Sequence, residues 1–323
     1  MVTILVQRFC QMIFIMFGIS VLVFLIFFAT PGADPASRIA GRNAAPETIA
    51  AVRHDFGLDR SLPVQYVVMM KKLFVTRDLV SFTNRGMNVV PAILQATPVT
   101  LSLVFGAAIF WVLGSLLFGV VAAALRGSFI DTSLMTFSLV GMAVPVFWLA
   151  EVTNLLSQSR FHDTIFFSWV PALGYVAFTE NPLSWFRVLL LPWLTLSVGY
   201  IGIYGRVLRA NIIEIYQEDF IRTARAKGIS EMRVLLRHAL RMSLVPFVTM
   251  FGLDFGVLVG GGALVTEVIF GLNGVGKLTY DSLQSLDLPV IMASVMYASF
   301  FVVVANAAVD LTYVMLDPRI GRH

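Results

Sequence analysis

The hydrophobic positions of this chain gather into six long stretches separated by polar segments. A bilayer core of about 30 Å is crossed by about 20 apolar residues in helical form, and each stretch is about that long or longer. The first run is longer than the roughly 7–15 apolar residues of a signal sequence and predicts a retained anchor. The pattern therefore predicts an all-α integral membrane protein whose six transmembrane helices are Phe9–Ala29, Val99–Leu125, Thr132–Ser157, Val188–Gly205, Ser243–Phe270 and Pro289–Met315.

The polar segments between these stretches predict the organisation of the chain. Residues 1–30 form an N-terminal transmembrane helix, and residues 31–98 form an extracytoplasmic segment that is too long for a plain linker. Residues 99–315 form a five-helix core that includes a cytoplasmic loop at 206–241. Residues 316–323 form a cytoplasmic tail.

Composition supports the membrane prediction. Hydrophobic residues make up 58% of the chain and charged residues 13%, whereas a soluble domain carries about 25% charged residues. Lysine and arginine do not form runs with interleaved aromatic residues, which argues against nucleic acid as a partner. Membrane lipid is the expected surrounding.

The distribution of Lys and Arg predicts the orientation, because cytoplasmic loops carry the excess of basic residues. With the N-terminus in the cytoplasm, the cytoplasmic pieces hold twelve basic residues, namely Arg8, Arg126, eight between Arg206 and Arg241, Arg319 and Arg322. The short outer loops hold Arg160, Arg187 and Lys277. Both termini are therefore expected in the cytoplasm.

The residue types that usually carry chemistry are sparse or badly spaced. Cys10 is the one cysteine, and the four histidines lie far apart without the spacing of metal ligands. Residues 271–278 nearly match a phosphate-binding loop, but Leu278 stands where a hydroxyl should bind magnesium, and a membrane span precedes the motif. We therefore predict no catalytic residue, no metal site and no cofactor in this chain.

The loop at 206–241 carries a short helix with the composition of a docking element. Asp219 is suited to cap its start, and Gly228 to close it in the left-handed conformation. Phe220, Ala224 and Lys227 fall on one side and predict a docking face. Arg222, Arg225 and Lys227 add cationic contacts. The residues alone leave open whether this helix docks on a partner protein or lies on anionic lipid.

Two acids and three glycines within the spans are further candidates. A charge at the bilayer centre costs about 3 kcal/mol on insertion scales, so such residues face a cavity or a partner. Asp254 lies near the midplane, and Glu267 near an outer end within reach of water; both are candidates for the translocation path, and Asp254 also for a bond to a partner helix bundle. A small-residue stripe permits close helix packing, within the chain or across a subunit interface, at Gly252, Gly256 and Gly260.

The loop also resembles a known signature. Asp219–Gly228, followed by Arg237–Arg241, is similar to the cytoplasmic loop of binding-protein-dependent ABC importer permeases. The general pattern is Glu-Ala-Ala, three residues, then Gly, of which this chain keeps Ala224 and Gly228. Its Arg-Thr-Ala-Arg-Ala-Lys-Gly form resembles the dipeptide, oligopeptide and nickel branch. The same branch is matched by Gly57–Tyr66, Pro145–Trp148, Gly271–Leu278 and Asp317–Ile320.

The resemblance implies a type I importer permease of a bacterial inner membrane. It implies a second homologous permease, two cytoplasmic ATPase subunits that hold ATP and magnesium, an extracytoplasmic substrate-binding protein and a peptide substrate. Nickel or another small solute is the alternative cargo, and a self-sufficient secondary transporter is the rival function. The coupling helix that contacts the ATPase would comprise Asp219, Phe220, Arg222, Thr223, Ala224, Arg225, Ala226, Lys227 and Gly228.

Overall fold

The computed structural model describes residues 2–28, 36–37, 45–55, 57–84, 86–159 and 161–316. The motif Asp317–Ile320, the arginines Arg160, Arg319 and Arg322, and residues 317–323 of the predicted tail lie outside the described residues, as do the side chains of Arg8 and Asp310. The helices of the described residues are α1 (Val2–Phe28), α2 (Pro46–Asp55), α3 (Leu62–Phe74), α4 (Val89–Ala124), α5 (Phe129–Ala143), α6 (Val146–Gln158), α7 (Pro182–Ile215), α8 (Asp219–Ala226), α9 (Glu231–Gly262), α10 (Leu264–Ile269), α11 (Val275–Ser285) and α12 (Leu288–Leu316).

Five of these helices are long and apolar enough to cross a bilayer, namely α1, α4, α7, α9 and α12. The pair α5 and α6 passes the same test jointly but is bent by 93°. Counting the bent pair as one span gives the six predicted spans. The predicted third span, Thr132–Ser157, is thus broken into two helices, because Val144 is extended before Pro145 and a new helix begins after that proline.

Several span boundaries differ from the prediction. Helix α7 extends beyond the predicted fourth span at both ends, and α9 begins before the predicted fifth span. Helix α4 starts at Val89, so the last ten residues assigned to the 31–98 segment belong to a span. The fifth span was predicted to run to Phe270, but α9 ends at Gly262 after Gly261 takes φ 127°. A residue without a side chain tolerates that angle. The chain then turns into the separate helices α10 and α11.

The glycine stripe of α9 packs within this chain. A Cβ atom at Gly252 would lie 1.9 Å from Cγ2 of Val309, and one at Gly256 would lie 2.5 Å from Cβ of Ala305. A Cβ atom at Gly260 would lie 3.0 Å from the carbonyl oxygen of Ala298. The sequence left the partner of the stripe open, and the structure identifies it as α12.

The described part of the 31–98 segment packs on the first and last spans. Tyr66 of α3 shares a 2.7 Å hydrogen bond with Ser20 of α1, and its ring meets Phe24 edge-on. Asp287, just before α12, accepts hydrogen bonds from the Ser81 hydroxyl and from the Phe82 N–H. These contacts anchor the segment to α1 and α12.

Candidate functional site

Helix α8 joins two spans, and its start differs slightly from the prediction. The N-cap is Glu218, whose backbone is extended and whose carbonyl accepts from the N–H groups of Ile221 and Arg222. The prediction that Asp219 caps the helix is therefore wrong. Asp219 is the first helical residue, and its carboxylate accepts from Arg222 at 3.3 Å on the exposed surface. An exposed pair of this kind contributes little stability.

The end of α8 is closed by Gly228, which has the predicted left-handed conformation at φ 74°. The Gly228 N–H donates to the Arg225 carbonyl at 2.9 Å, and the Ile229 N–H donates to the Ala224 carbonyl at 3.3 Å. This pair of bonds is a Schellman motif, which satisfies the last carbonyls of a helix. The chain therefore leaves α8 in a fixed direction toward α9.

One face of α8 is buried against this chain. Ile221 is 0% exposed and Ala224 is 6% exposed, and both belong to the core that contains Val234 and Leu235 of α9 and Ile212 of α7. The predicted docking face is therefore wrong at Ala224. Phe220, another residue of the predicted docking face, is 43% exposed and lies at the edge of the buried face.

The opposite face of α8 is exposed. Its residues occur at i, i+3, i+4 and i+7, which places them on one side of a helix. They offer a carboxylate, a guanidinium, a hydroxyl and a methyl group. The exposed face comprises Asp219, Arg222, Thr223 and Ala226, with Lys227 beside it.

Arg225 holds the loop together. Its guanidinium donates to both carboxylate oxygens of Glu231, at 2.8 and 3.0 Å, and lies 5.1 Å from the ring centroid of Tyr216. The hydrogen bond to Glu231 raises the pKa of Arg225 above its ordinary value. Because Tyr216 follows α7 and Glu231 begins α9, Arg225 ties both spans to α8.

Glu267 is buried, so the expectation that it lies within reach of water is wrong. It is 0% exposed, and its carboxylate accepts from the Thr100 hydroxyl at 2.6 Å and from the Lys277 N–H at 2.9 Å. Thr100 in turn accepts from the Val275 N–H at 2.8 Å. The carboxylate thus joins α4, α10 and the start of α11. The sequence did not indicate Thr100 as a hydrogen-bond partner of this acid.

The stretch that nearly matches a phosphate-binding loop wraps this carboxylate. Cβ atoms at Gly274 and Gly276 would lie 2.4 and 2.9 Å from Oε2 of Glu267, so only glycine allows the backbone to approach so closely. The N–H groups of Gly276 and Lys277 bind the carboxylate at the start of α11. The anion at this helix N-terminus is therefore supplied by the chain itself.

Asp254 is half-buried and has a partner within the chain. The hydroxyl of Tyr204 on α7 donates to its carboxylate at 2.5 Å. The rings of Trp111 and Phe247 pack edge-on against Tyr204, with distances between ring centroids of 4.6 and 5.1 Å. The hydrogen bond expected from a partner helix bundle is thus made here by a neighbouring span.

A further ion pair escaped the sequence reasoning. Arg209 of α7 donates to both carboxylate oxygens of Asp131 on α5, at 2.6 and 2.7 Å, and the Gly127 N–H adds a third bond at 2.9 Å. Asp131 lies one residue before the predicted third span and was therefore not weighed as an intramembrane acid. Such a two-point pair fixes α5 against α7.

Among the described residues, no group of three or more His, Cys, Asp or Glu side chains could hold a metal ion.

Two family models together match almost the whole chain. Residues 115–322 match the family described as "Binding-protein-dependent transport system inner membrane component". Residues 1–104 match the N-terminal model described as "Binding-prot-dependent transport system membrane comp, N-term".

Curated relatives match along their full length. A Brucella abortus protein, whose name describes a peptide transport system permease, is 39% identical over 320 residues, covering 99% of both chains. The di/tripeptide transport system permease protein of Pseudomonas aeruginosa is 33% identical over 344 residues, covering 100% of this chain and 99% of its own. The glutathione transport system permease protein of Pectobacterium atrosepticum is 34% identical over 316 residues, covering 94% and 93%.

A solved structure shares the fold. An inward-facing structure of the MetNI methionine ABC transporter matches with a TM-score of 0.51 and 16% sequence identity, covering 70% of this chain and 96% of that one. At this identity the match concerns the fold alone.

Proposed function

The chain belongs to the family of binding-protein-dependent transport system inner membrane components, and from this premise we propose that it is the peptide-conducting permease of an ABC importer. It is a multi-pass inner-membrane protein and the membrane component of the transporter. A second permease would complete the path. Two ATPase subunits would bind ATP with magnesium on the cytoplasmic side, and an outer binding protein would deliver the substrate.

The observation that carries the proposal is the construction of α8. Its buried face packs into the core through Ile221 and Ala224, while its exposed face offers four side chains. Arg225 fastens the helix to both neighbouring spans. A force applied to the exposed face by an ATPase would therefore move α7 and α9 together, instead of bending the loop.

Peptide is the substrate class that the relatives support. Names of full-length relatives describe peptide, di/tripeptide and glutathione transport, and these substrates share a backbone of amides with charged ends. We propose that short peptides are the cargo of this chain also.

Reconstitution tests the proposal. The chain, with its second permease, both ATPases and the binding protein, is placed in liposomes and supplied with labelled di- and tripeptides. We expect uptake that requires ATP and every subunit. Uptake by liposomes that lack the ATPases would contradict the importer mechanism and support a secondary transporter.

The proposed orientation predicts a labelling pattern. Cysteines are placed singly at the exposed positions Ser61 and Ser230 in a Cys10→Ser background. In cells stripped of their outer envelope, a membrane-impermeant thiol reagent should label the cysteine at Ser61 and not the one at Ser230, which should react after lysis. Labelling of the Ser230 variant in intact cells would reverse the orientation.

Asp254→Asn tests the alternative that this carboxylate lines the translocation path. The neutral amide oxygen can still accept from Tyr204, so we expect uptake to stay within about twofold of wild type for cationic, neutral and anionic peptides. Asp254→Ala leaves the Tyr204 hydroxyl without its acceptor at a cost of about 1–3 kcal/mol, and should lower the melting temperature. A changed preference for peptide charge in Asp254→Asn would place the carboxylate on the path.

A further inference from the structure

We propose that a cleft between the first turns of α4 and the helix α11 binds the two charged ends of a short peptide. The inference rests on the proposed function and names the form of the substrate that this surface would take: a dipeptide with a free ammonium and a free carboxylate. The site lies on the proposed outer side, where substrate would arrive before it passes the spans.

The α4–α11 cleft has the size and polarity of a small-ligand site. Its volume is about 340 Å³, at the lower end of the roughly 300–1,000 Å³ of ligand pockets. Ala96 and Val99 give it an apolar floor. Its rim carries two amides and two opposite charges, from Gln95, Asn273, Lys277 and Asp281.

The two charges lie on one side of α11, four residues apart. They do not pair with each other among the ion pairs of the described residues, although helix neighbours at this spacing commonly do. The ammonium of Lys277 donates to the Asn273 side-chain oxygen at 2.9 Å. An ammonium has three donors, so this bond aims the group and leaves donor capacity for a carboxylate.

The spacing of the charges matches a dipeptide. Four residues of α-helix rise about 6 Å, and two extended residues span at most about 7 Å. Lys277 would take the peptide carboxylate and Asp281 the ammonium. The amide of Gln95 both donates and accepts, which suits the peptide group between the two ends. A longer extended peptide would place one of its charged ends beyond the helix pair.

The cleft is fixed before any ligand arrives. The Lys277 N–H is bound to the buried Glu267, and the Val275 N–H is bound to Thr100 of α4. These bonds hold the start of α11 against the helix that forms the opposite wall. A site whose walls do not need to be ordered on binding loses less free energy to ordering.

Binding to the assembled transporter in nanodiscs, without the binding protein, tests the inference. The probes are labelled alanyl-alanine, its N-acetylated form and its C-amidated form, measured by equilibrium dialysis. We expect wild type to bind the unmodified peptide about fivefold more tightly than either analogue, as for an exposed ion pair of about 1 kcal/mol. Lys277→Met should no longer prefer the unmodified peptide over the C-amidated form, but should still prefer it over the N-acetylated form. Asp281→Asn should show the reverse pattern. Lys72→Met and Asp163→Asn, exposed charges outside the cleft, should keep both preferences.

The outcomes separate this inference from the proposed function. If wild type transports peptides but Lys277→Met and Asp281→Asn retain both preferences, the cleft is not the site and the importer function stands. If these variants lose the second permease during purification, the surface is a subunit contact and the inference fails. If reconstituted wild type transports no peptide, the proposed function and the inference fail together.

Discussion

Ala226→Trp is expected to abolish ATPase binding and peptide uptake while leaving the chain folded. Ala226 is the last residue of α8 and lies exposed on the same face as Arg222 and Thr223, one turn beyond them. If this face seats in a groove of an ATPase subunit, an indole there is forced into a packed contact, which costs about 1–3 kcal/mol or more. The measurement is co-purification of the ATPase subunits, together with uptake in liposomes.

Two comparisons make the Ala226 result specific. Thr179→Trp places the same side chain on an exposed loop of the proposed outer side and should leave ATPase co-purification unchanged. Ala224→Trp should also block transport, but through the chain's own core, since Ala224 is buried beside Ile221. Its melting temperature should therefore fall, while that of Ala226→Trp should not. Normal ATPase binding by folded Ala226→Trp would show that the exposed face of α8 does not contact the ATPase.

Gly256→Leu is expected to prevent stable folding of the membrane core. A Cβ atom at this position would lie 2.5 Å from Cβ of Ala305 and 3.3 Å from Cα of Val302, so α9 and α12 would have to separate. Overpacking of a tight contact costs about 1–3 kcal/mol for an added methylene, and a leucine adds more than one. We expect loss of the monodisperse peak in detergent and a strongly lowered melting temperature.

A matched substitution and a compensating one test the cause. Gly18→Leu adds the same side chain to α1, where a Cβ atom would meet nothing within 4 Å, and should be tolerated. Gly256→Ala creates the clash with Ala305 in its smallest form, and adding Ala305→Gly removes the opposing Cβ. The double variant should recover much of the stability lost by Gly256→Ala. Equal stability of Gly256→Ala and wild type would show that α9 and α12 can separate without cost.

The spans could be predicted because apolar length is a strong signal, and the boundaries failed where local rules compete with packing. The residues before Val99 include Pro91 and Pro98, which argue against a helix. Helix α4 nevertheless starts at Val89, placing Pro91 in its first turn and Pro98 inside it. At the end of the fifth span, Gly260 belongs to the predicted packing stripe, and the neighbouring Gly261 breaks the helix.

The candidate site shows the same limit. The length of α8 followed from its composition, but its orientation did not, because Phe220 and Ile221 are adjacent and predict different buried faces. Which of the two residues is buried depends on Ile212, Val234 and Leu235, which belong to other helices. The bond between Glu267 and Thr100 is also invisible locally, since 167 positions separate the two residues.

The bend at Pro145 has a consequence for how the protein is made. Its arms have 15 and 13 residues, and neither is long enough alone to cross the hydrocarbon layer, which takes about 20. The bent pair is held by α7, where the Gly202 carbonyl accepts from the Ser138 hydroxyl and Arg209 pairs with Asp131. Gly202 and Arg209 follow the bent pair in the chain and therefore emerge later from the ribosome. The contacts that hold the bent pair against α7 can therefore form only after the fourth hydrophobic segment has been made.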